Sequence, residues 1–489
     1  MNLASIIDPH PADRPALVSR GKVTTYGELR DQVAKMRGGL LGAGLGKGDR
    51  VALLAANNWY FVSSYLAVVG VGAIAVPLNP ASPAPAVQGE LRSVGARLAI
   101  VGPTGRRAIA GVDIDGVPSL TGVLTAADLL ASAPADVVEV GDDDLAVLLF
   151  TSGTAGSPKA AKLTHGNLRS NIDQVLSLPA PVGAEVALAA LPLFHVFGLN
   201  ALLGVALAAG WTVVLMERFD AHAALEAVRE HGVTVVSGVP TMWSALATLP
   251  GVSHDDLAGV RLAVSGAADL DPVVSRLVAE RLGVTLGQGY GLTEASPVVT
   301  STLGHKTPEG SVGVPLPGLE VRLVDAGEDV LVGDPGEVWV RGPNVFPGYW
   351  QDDVATAAVL DDEGWLRTGD LAVVNDDGFL FLVDRAKDVI IVSGFNVFPA
   401  EVEEVLASHP DVAEVGVVGV AHPHTGEAVK AYVVLEPGAS LDEDGLIDFA
   451  RDNLARYKCP TKVMFVEQLP KNATGKLVRR CLDDDLLAM

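Results

Sequence analysis

The segment Phe150-Thr151-Ser152-Gly153-Thr154-Ala155-Gly156-Ser157-Pro158-Lys159 follows an apolar run and is dense in glycine, serine and threonine. Glycines let consecutive backbone N–H groups turn toward one anion, hydroxyls add donors, and Lys159 supplies a positive point charge. That combination suits the cradling of phosphate. It is not a Walker A loop, because no Gly-Lys-Ser/Thr stands at the required spacing. A plain flexible loop has the same composition, so the segment alone leaves both readings open. A second cluster lies near the C-terminus. The chain carries a formal net charge of −24, yet its sign inverts between Arg456 and Arg480. There Lys458, Lys462, Lys471, Lys476, Arg479 and Arg480 face a single acid, Glu467. A solvated basic face is the ordinary explanation for such a run. The run Gly70-Val71-Gly72-Ala73-Ile74-Ala75 nominally fits a dinucleotide fingerprint, but a helical pattern precedes it and a strand follows. That order is reversed, and the match is set aside.

Apolar patterning implies the elements that must position these residues. Val51 to Ala55, Ala73 to Leu78 and Leu145 to Phe150 read as buried strands, and Trp59 to Gly70 as a helix. Leu225 to His231 followed by Val233 to Ser237 repeats helix and strand, as does Val273 to Leu282 followed by Val284 to Leu286. Such alternation predicts an α/β fold with parallel-rich sheets flanked by helices. From about Gly313 short strands and turns take over, with Asp376-Asp377-Gly378 as a hairpin turn. The last hundred residues read as a separate α+β unit: helices over Pro399 to Ser408 and Leu441 to Leu454, strands over Val412 to Val420, Val429 to Leu435 and Lys462 to Val466. The expected organisation is a large N-terminal domain, residues 1–385, whose part 313–385 is a β-rich subdomain. A small mobile domain, residues 386–489, would turn on a short hinge at Asp384 to Asp388, centred on Lys387. At 489 residues one hydrophobic core would be exceeded, in keeping with more than one domain.

Composition narrows the classes. Hydrophobic residues at 49% and charged residues at 19% suit large cores and exclude a disordered chain. A polyanion repels nucleic acid and anionic lipid at long range, so no nucleic-acid partner is expected. Cys459 and Cys481 lack metal-ligand spacing and read as unpaired thiols in a reducing compartment, hence a cytoplasmic expectation. The N-terminus lacks a basic start followed by an apolar core, so a secretory signal is not expected. The longest uncharged stretch, Val196 to Met216, is broken by Gly198, Asn200, Gly204 and Gly210 and reads as a buried helix, turn and strand rather than a membrane span.

Further segments occur in a telling order. Gly289-Tyr290-Gly291-Leu292-Thr293-Glu294 is followed by Trp365-Leu366-Arg367-Thr368-Gly369-Asp370, then Asp384-Arg385-Ala386-Lys387-Asp388 with Ser393-Gly394-Phe395, then Pro470-Lys471-Asn472-Ala473-Thr474-Gly475-Lys476. With the loop at 150–159, this ordered set resembles the adenylate-forming superfamily of acyl-CoA synthetases, peptide-synthetase adenylation domains and firefly luciferase. The resemblance spans nearly the whole chain. It implies ATP, Mg²⁺ and coenzyme A as cosubstrates and cofactor, and a small-molecule carboxylic acid as substrate. A carboxylate resists nucleophiles; attack on the α-phosphate of ATP turns it into a mixed anhydride with a good leaving group. Two anions must then approach, so positive charge and oriented donors carry the catalysis. By resemblance, Thr151, Ser152, Gly153, Thr154, Gly156 and Lys159 bind phosphates, and Tyr290 of the Gly289-Tyr290-Gly291 segment stacks on adenine against Gly266, Ala267 and Ala268. Thr293 meets the α-phosphate, Glu294 holds Mg²⁺, and Asp370, with Arg385 nearby, takes the ribose hydroxyls. Lys476 stabilises the charge of adenylation, Lys387 is the pivot, and Gly394 opens a thiol path. In isolation each has a plain alternative: Tyr290 as a core aromatic, Asp370 as a turn acid, Lys476 as a solvated tail charge.

The segments expected around the acyl group, Pro192 to Asn200, Val236 to Trp243, Ser265 to Ala268 and Gly289 to Val299, are mostly apolar. Phe194-His195-Val196-Phe197-Gly198 offers no carboxylate for an ammonium group, which disfavours an amino acid. No arginine suits a dicarboxylate. An apolar monocarboxylate remains, with a medium- or long-chain fatty acid ahead of an aryl acid of the hydroxycinnamate type; a carrier-protein thiol is an alternative acceptor to CoA. His195 either orients the carboxylate or packs as a neutral ring. The chain departs from the family pattern at Ala155, at Ala160-Ala161 and at Asp269. Oligomeric state is not legible in the sequence.

Overall fold

A computed structural model describes residues 1–151, 159–179, 183–385, 388–392, 395–422, 425–472 and 475–482. The chain divides into two compact units, Met1–Glu320 with Val340–Leu366, and Val321–Trp339 with Arg367–Met489.

The first unit holds two large sheets. One runs in the order Gly122–Leu124, Leu98–Val101, Arg50–Leu54, Ile74–Pro77, Leu145–Thr151, Lys159–Thr164. Its first five strands are parallel and the last pair antiparallel. The apolar runs read in the sequence are these strands, buried on both faces as helix-covered parallel sheets require. Ala52, Leu54, Val76, Val101 and Leu148 share one core with Val87 and Leu91 of the helix Ala84–Val94, each large side chain contributing about 1.5–3 kcal/mol by burial. The helix Trp59–Gly70 starts where Asn58 accepts the Phe61 N–H, and Tyr26–Gly42 starts at a reciprocal cap between Thr25 and Glu28.

The second sheet has nine strands in the order Val314–Pro315, Val298–Ser301, Gly287–Gly291, Leu262–Ser265, Val235–Gly238, Val186–Ala189, Thr212–Leu215, Pro15–Ser19, Lys22–Thr25. From Gly287–Gly291 through Pro15–Ser19 neighbouring strands are parallel. The uncharged stretch 196–216 is a widened helix, Phe197–Gly204, continued by Val205–Ala208, a turn at Gly210 and the strand Thr212–Leu215. Among the described residues no helix is long and apolar enough to cross a membrane. One strand differs from expectation. Val284 to Leu286 is not extended into the sheet; the ladder begins at Gly287, with Val264 opposite Gly287 and Ser265 opposite Gln288. The glycine-rich strand has no apolar alternation to reveal it. A Cβ on Gly289 would sit 3.0 Å from the Thr300 carbonyl oxygen, and one on Gly291 would overlap the Pro297 carbonyl, so close backbone approach selects glycine.

In the second unit a five-stranded sheet runs in the order Glu328–Asp329, Glu320–Asp325, Gly336–Arg341, Leu366–Val374, Leu380–Arg385. The turn at Asp376 to Gly378 closes with Gly378 at φ +81°. A second sheet pairs Val412–His422 with Gly426–Leu435 antiparallel, and Lys462–Phe465 lies parallel to the latter. The helices Pro399–Ala407 and Glu443–Asn453 cover it through Val402, Leu406, Leu446 and Ala450. Two strands of three residues, Ile390–Val392 and Phe395–Val397, extend this sheet beyond the three strands expected.

Candidate active site

Because Val186–Ala189, Val235–Gly238, Leu262–Ser265 and Gly287–Gly291 pair in parallel, their carboxyl ends open on one edge of the nine-stranded sheet. Open α/β sheets bind ligands at such an edge. From these four ends leave Pro192 to Phe197, Pro240 to Trp243, Gly266 to Ala268, and Leu292 to Glu294. They converge: a Cβ on Gly266 would lie 3.2 Å from the Phe197 ring and 3.7 Å from the Gly289 carbonyl, and one on Gly238 would lie 3.2 Å from Trp243 Nε1. Ala267 holds φ +67°, a left-handed conformation uncommon for a residue with a Cβ and one that clusters at ligand sites. Tyr290 is buried on its strand, where both a ligand platform and a core aromatic are compatible positions.

The turn carrying Thr293 and Glu294 is held by neutral donors. The Phe346 N–H donates to the Glu294 carbonyl at 2.8 Å, Asn344 Nδ2 to the Ala295 carbonyl at 2.6 Å, and Asn200 Nδ2 to the Ser296 carbonyl at 2.7 Å. The Glu294 carboxylate is half-buried and accepts the Tyr349 hydroxyl at 2.7 Å. Burial pushes the Tyr349 phenol up, and the Glu294 charge adds to the shift, so this hydroxyl stays a donor. Lys159 Nζ lies 5.3 Å from the centre of the same ring, a cation–π distance. Tyr349 therefore ties the base of the 151–159 loop to Glu294. Thr151 and Lys159 close that loop as an antiparallel pair, Thr151 Oγ1 donating to the Lys159 carbonyl at 3.4 Å. Ser152, Gly153, Thr154 and Gly156 lie outside the described residues. One carboxylate suits Mg²⁺ carried in with phosphate rather than an all-protein cage; among the described residues no cluster of three His, Cys, Asp or Glu could hold a metal.

His195 is half-buried, and burial lowers its pKa, so the ring is neutral near pH 7. Its Nδ1 accepts the Phe197 N–H at 3.3 Å, which assigns the proton to Nε2 and makes that nitrogen a donor.

In the second unit Asp370 is buried on the strand Leu366–Val374, directly opposite Arg385. Thr368 Oγ1 donates to the Val338 carbonyl at 2.7 Å and accepts the Asp370 N–H at 3.1 Å; Glu337 accepts the Gly369 N–H at 2.9 Å and the Trp339 indole N–H at 2.9 Å. Lys476 is half-buried in a tight loop, its N–H donating to Asn472 Oδ1 at 2.9 Å while Asn472 N–H donates to the Lys476 carbonyl at 2.9 Å. Lys387 and Gly394 lie outside the described residues, as does the side chain of Arg385. The sequence reading brought forward neither Tyr349 nor Glu337. A buried tyrosine and a strand glutamate carry no local signature, since their partners are 55 and 32 residues away.

The model of the AMP-binding enzyme family matches residues 6–350, and that of the AMP-binding enzyme C-terminal domain matches residues 401–476. A feruloyl-CoA synthase from Amycolatopsis sp. is 41% identical over 94% of this chain and 93% of its own length. A long-chain-fatty-acid–CoA ligase from Yersinia pestis is 36% identical over 97% of this chain and 92% of its own. The crystal structure of ATP-bound MatB from Rhodopseudomonas palustris superposes with a TM-score of 0.91 at 32% identity, covering 99% of each chain.

Proposed function

The chain belongs to the AMP-binding enzyme family, as an AMP-forming acid–CoA ligase, and from that premise we propose that its acid is an aromatic monocarboxylate of the hydroxycinnamate type. The acid's carboxylate attacks the α-phosphorus of ATP, the bond to the β-phosphate bridge breaks, and pyrophosphate leaves. The thiol of CoA then attacks the acyl carbon; the acyl–phosphate bond breaks and AMP and a proton leave.

The observation that carries the placement of this chemistry is the Glu294–Tyr349–Lys159 chain at the sheet edge, which supports phosphate and metal binding at one spot. Thr293 would contact the α-phosphate, Tyr290 and the Gly266 to Ala268 backbone would flank adenine, and Asp370 would take the ribose hydroxyls. Glu294 would hold Mg²⁺, which when bound neutralises phosphate charge. The neutral His195 presents Nε2–H as a donor to the acid's carboxylate. Lys476 would supply its ammonium to the charge that develops between the two anions. A turn of residues 386–489 about Lys387 would exchange Lys476 for the Gly394 segment between the two half-reactions.

An aromatic acid is favoured by the 41% identity to a feruloyl-CoA synthase and by the half-buried Phe197, whose ring lies beside Gly266 in the converging segments. A medium- or long-chain fatty acid is the second reading, favoured by the Yersinia relative. The unpaired Cys459 and Cys481 are in keeping with work in the cytoplasm. The test is pyrophosphate release across ferulate-type, fatty and amino acids, each with and without CoA. The expected result is highest kcat/KM with the aromatic set and a CoA-dependent thioester. Turnover confined to fatty acids would remove the aromatic reading, and adenylate formation with no gain from CoA would point to a carrier-protein thiol.

A further inference from the structure

Lys476 stands at the closing end of a short hairpin. Lys471 and Leu477 bridge across it, the Val478 N–H donates to the Pro470 carbonyl at 2.9 Å, and Gly475 makes the turn at φ +80°. Leu477 and Leu482 pack beside Gly416, and Leu469 and Leu482 with Tyr432, on one face of the C-terminal sheet. These apolar contacts hold the hairpin against the sheet, and Asn472 ties the Lys476 main chain within it.

The next turn starts at Arg479 and adds polar contacts. Its guanidinium meets Glu403 with both carboxylate oxygens engaged, Nη2 to Oε2 at 2.6 Å and Nε to Oε1 at 3.2 Å. It also lies 3.5 Å from Asp388 and 3.9 Å from Asp384. Asp384 is 2% exposed and accepts the Ala400 N–H at 2.9 Å; Glu403 accepts the Val417 N–H at 2.8 Å. The two aspartates bracket the expected pivot, Lys387. A fork-shaped cation three residues past Lys476 thus links the lysine hairpin to both flanks of that segment. A lysine cannot reproduce the two-point contact with Glu403.

We propose that Arg479 is a positioning residue that sets the aim of Lys476 by fixing its hairpin to Asp384, Asp388 and Glu403. The proposal rests on Lys476 acting in adenylation. Arg479→Lys keeps the charge and loses the fork. It is expected to lower the kcat of acid-dependent pyrophosphate release about 10- to 100-fold, the scale on which a misplaced catalytic group acts. The KM for ATP stays within about twofold, and CoA transfer from supplied acyl-adenylate within about threefold, of the parent. Glu403→Gln, which keeps the shape and removes one charge, is expected to give the same split at smaller amplitude and covers the case in which Arg479→Lys does not fold. Thermal melting runs alongside. Equal loss of both half-reactions in step with a fallen Tm, or pyrophosphate release unchanged in both variants, would overturn the proposal. Lys476→Ala separates the two layers. If it keeps adenylation, the role of Lys476 fails; if it abolishes adenylation while both other variants keep it, only the role of Arg479 fails.

Discussion

The two regions expected to act on ATP are held by opposite means. At the edge of the large sheet, the Thr293–Ala295 turn is fixed by neutral groups: Asn344, Asn200 and a backbone amide donate to successive carbonyls, and a phenol holds Glu294. Around Lys476 the positioning is ionic, with Arg479 among three acids and Lys471 on Glu414 at 2.7 Å. Neutral donors in a buried setting fix geometry without adding charge to the place proposed for the phosphates. Ion pairs hold a loop whose proposed working group, Lys476, is a cation. The difference teaches which perturbations each region should feel: packing and protonation for the first, charge for the second.

The largest expected break is Lys476→Ala, which should lower adenylation by about 10²–10³-fold and spare CoA transfer from supplied acyl-adenylate; equal loss of both would dissolve the division between regions. Next comes acid. His165 is fully buried, its Nδ1 accepts the Leu3 N–H at 3.0 Å, and burial depresses its pKa to about 4. Since the unfolded state takes the proton first, the His165 contribution should be constant above about pH 6.5 and be lost as pH drops from 6.5 toward 4, while burial of Glu90, which pushes its pKa up to about 7, acts in the opposite sense over an overlapping window. The loss reaches about 3 kcal/mol at most. Denaturant titration of the parent and of His165→Asn across that window checks it: the stability difference between them should change by the His165 contribution as pH falls and stay constant above about pH 6.5. Asn344→Ala should cost about 1–3 kcal/mol by leaving buried carbonyls unpaired, read as a lowered urea midpoint. Tyr349→Phe should reduce adenylation about tenfold, from loss of one charge-assisted hydrogen bond to Glu294, with melting little changed. Smallest of all, Lys471→Ala removes a half-exposed pair and should alter stability by less than about 1 kcal/mol. A large effect there would mean that the ionic region depends on its rim as well as on Arg479.

Much of the fold was legible because parallel strands announce themselves as continuous apolar runs. The strand Arg50–Leu54, the helix Trp59–Gly70 and the strand Leu145–Thr151 fall where that pattern puts them. The strand Gly287–Gly291 was misplaced by three residues because its glycines serve backbone contact rather than a core. Ile390–Val392 and Phe395–Val397 escaped notice because three residues are too few to show a period. Candidate site residues in ordered motifs, such as Thr293, Glu294 and Asp370, could be proposed from the chain alone. Tyr349 and Glu337 were not, and Arg479 was visible only as one cation of a basic run, since their partners lie 55, 32 and 76 residues away. Pairings of that span are written in the topology, not in any window of sequence.

The glycine strand also divides the options open to anyone redesigning this enzyme. At Gly291 even one added methyl runs into the Pro297 carbonyl, and at Gly289 it presses on that of Thr300. On the proposed placement of the acid, new preferences are better sought at side-chain positions such as Phe197, whose ring rather than main chain would face a Cβ at Gly266. Substitutions at Gly289 and Gly291 are expected to disturb the strand itself, whereas substitutions at Phe197 are expected to change the space beside Gly266 and leave the strand in place.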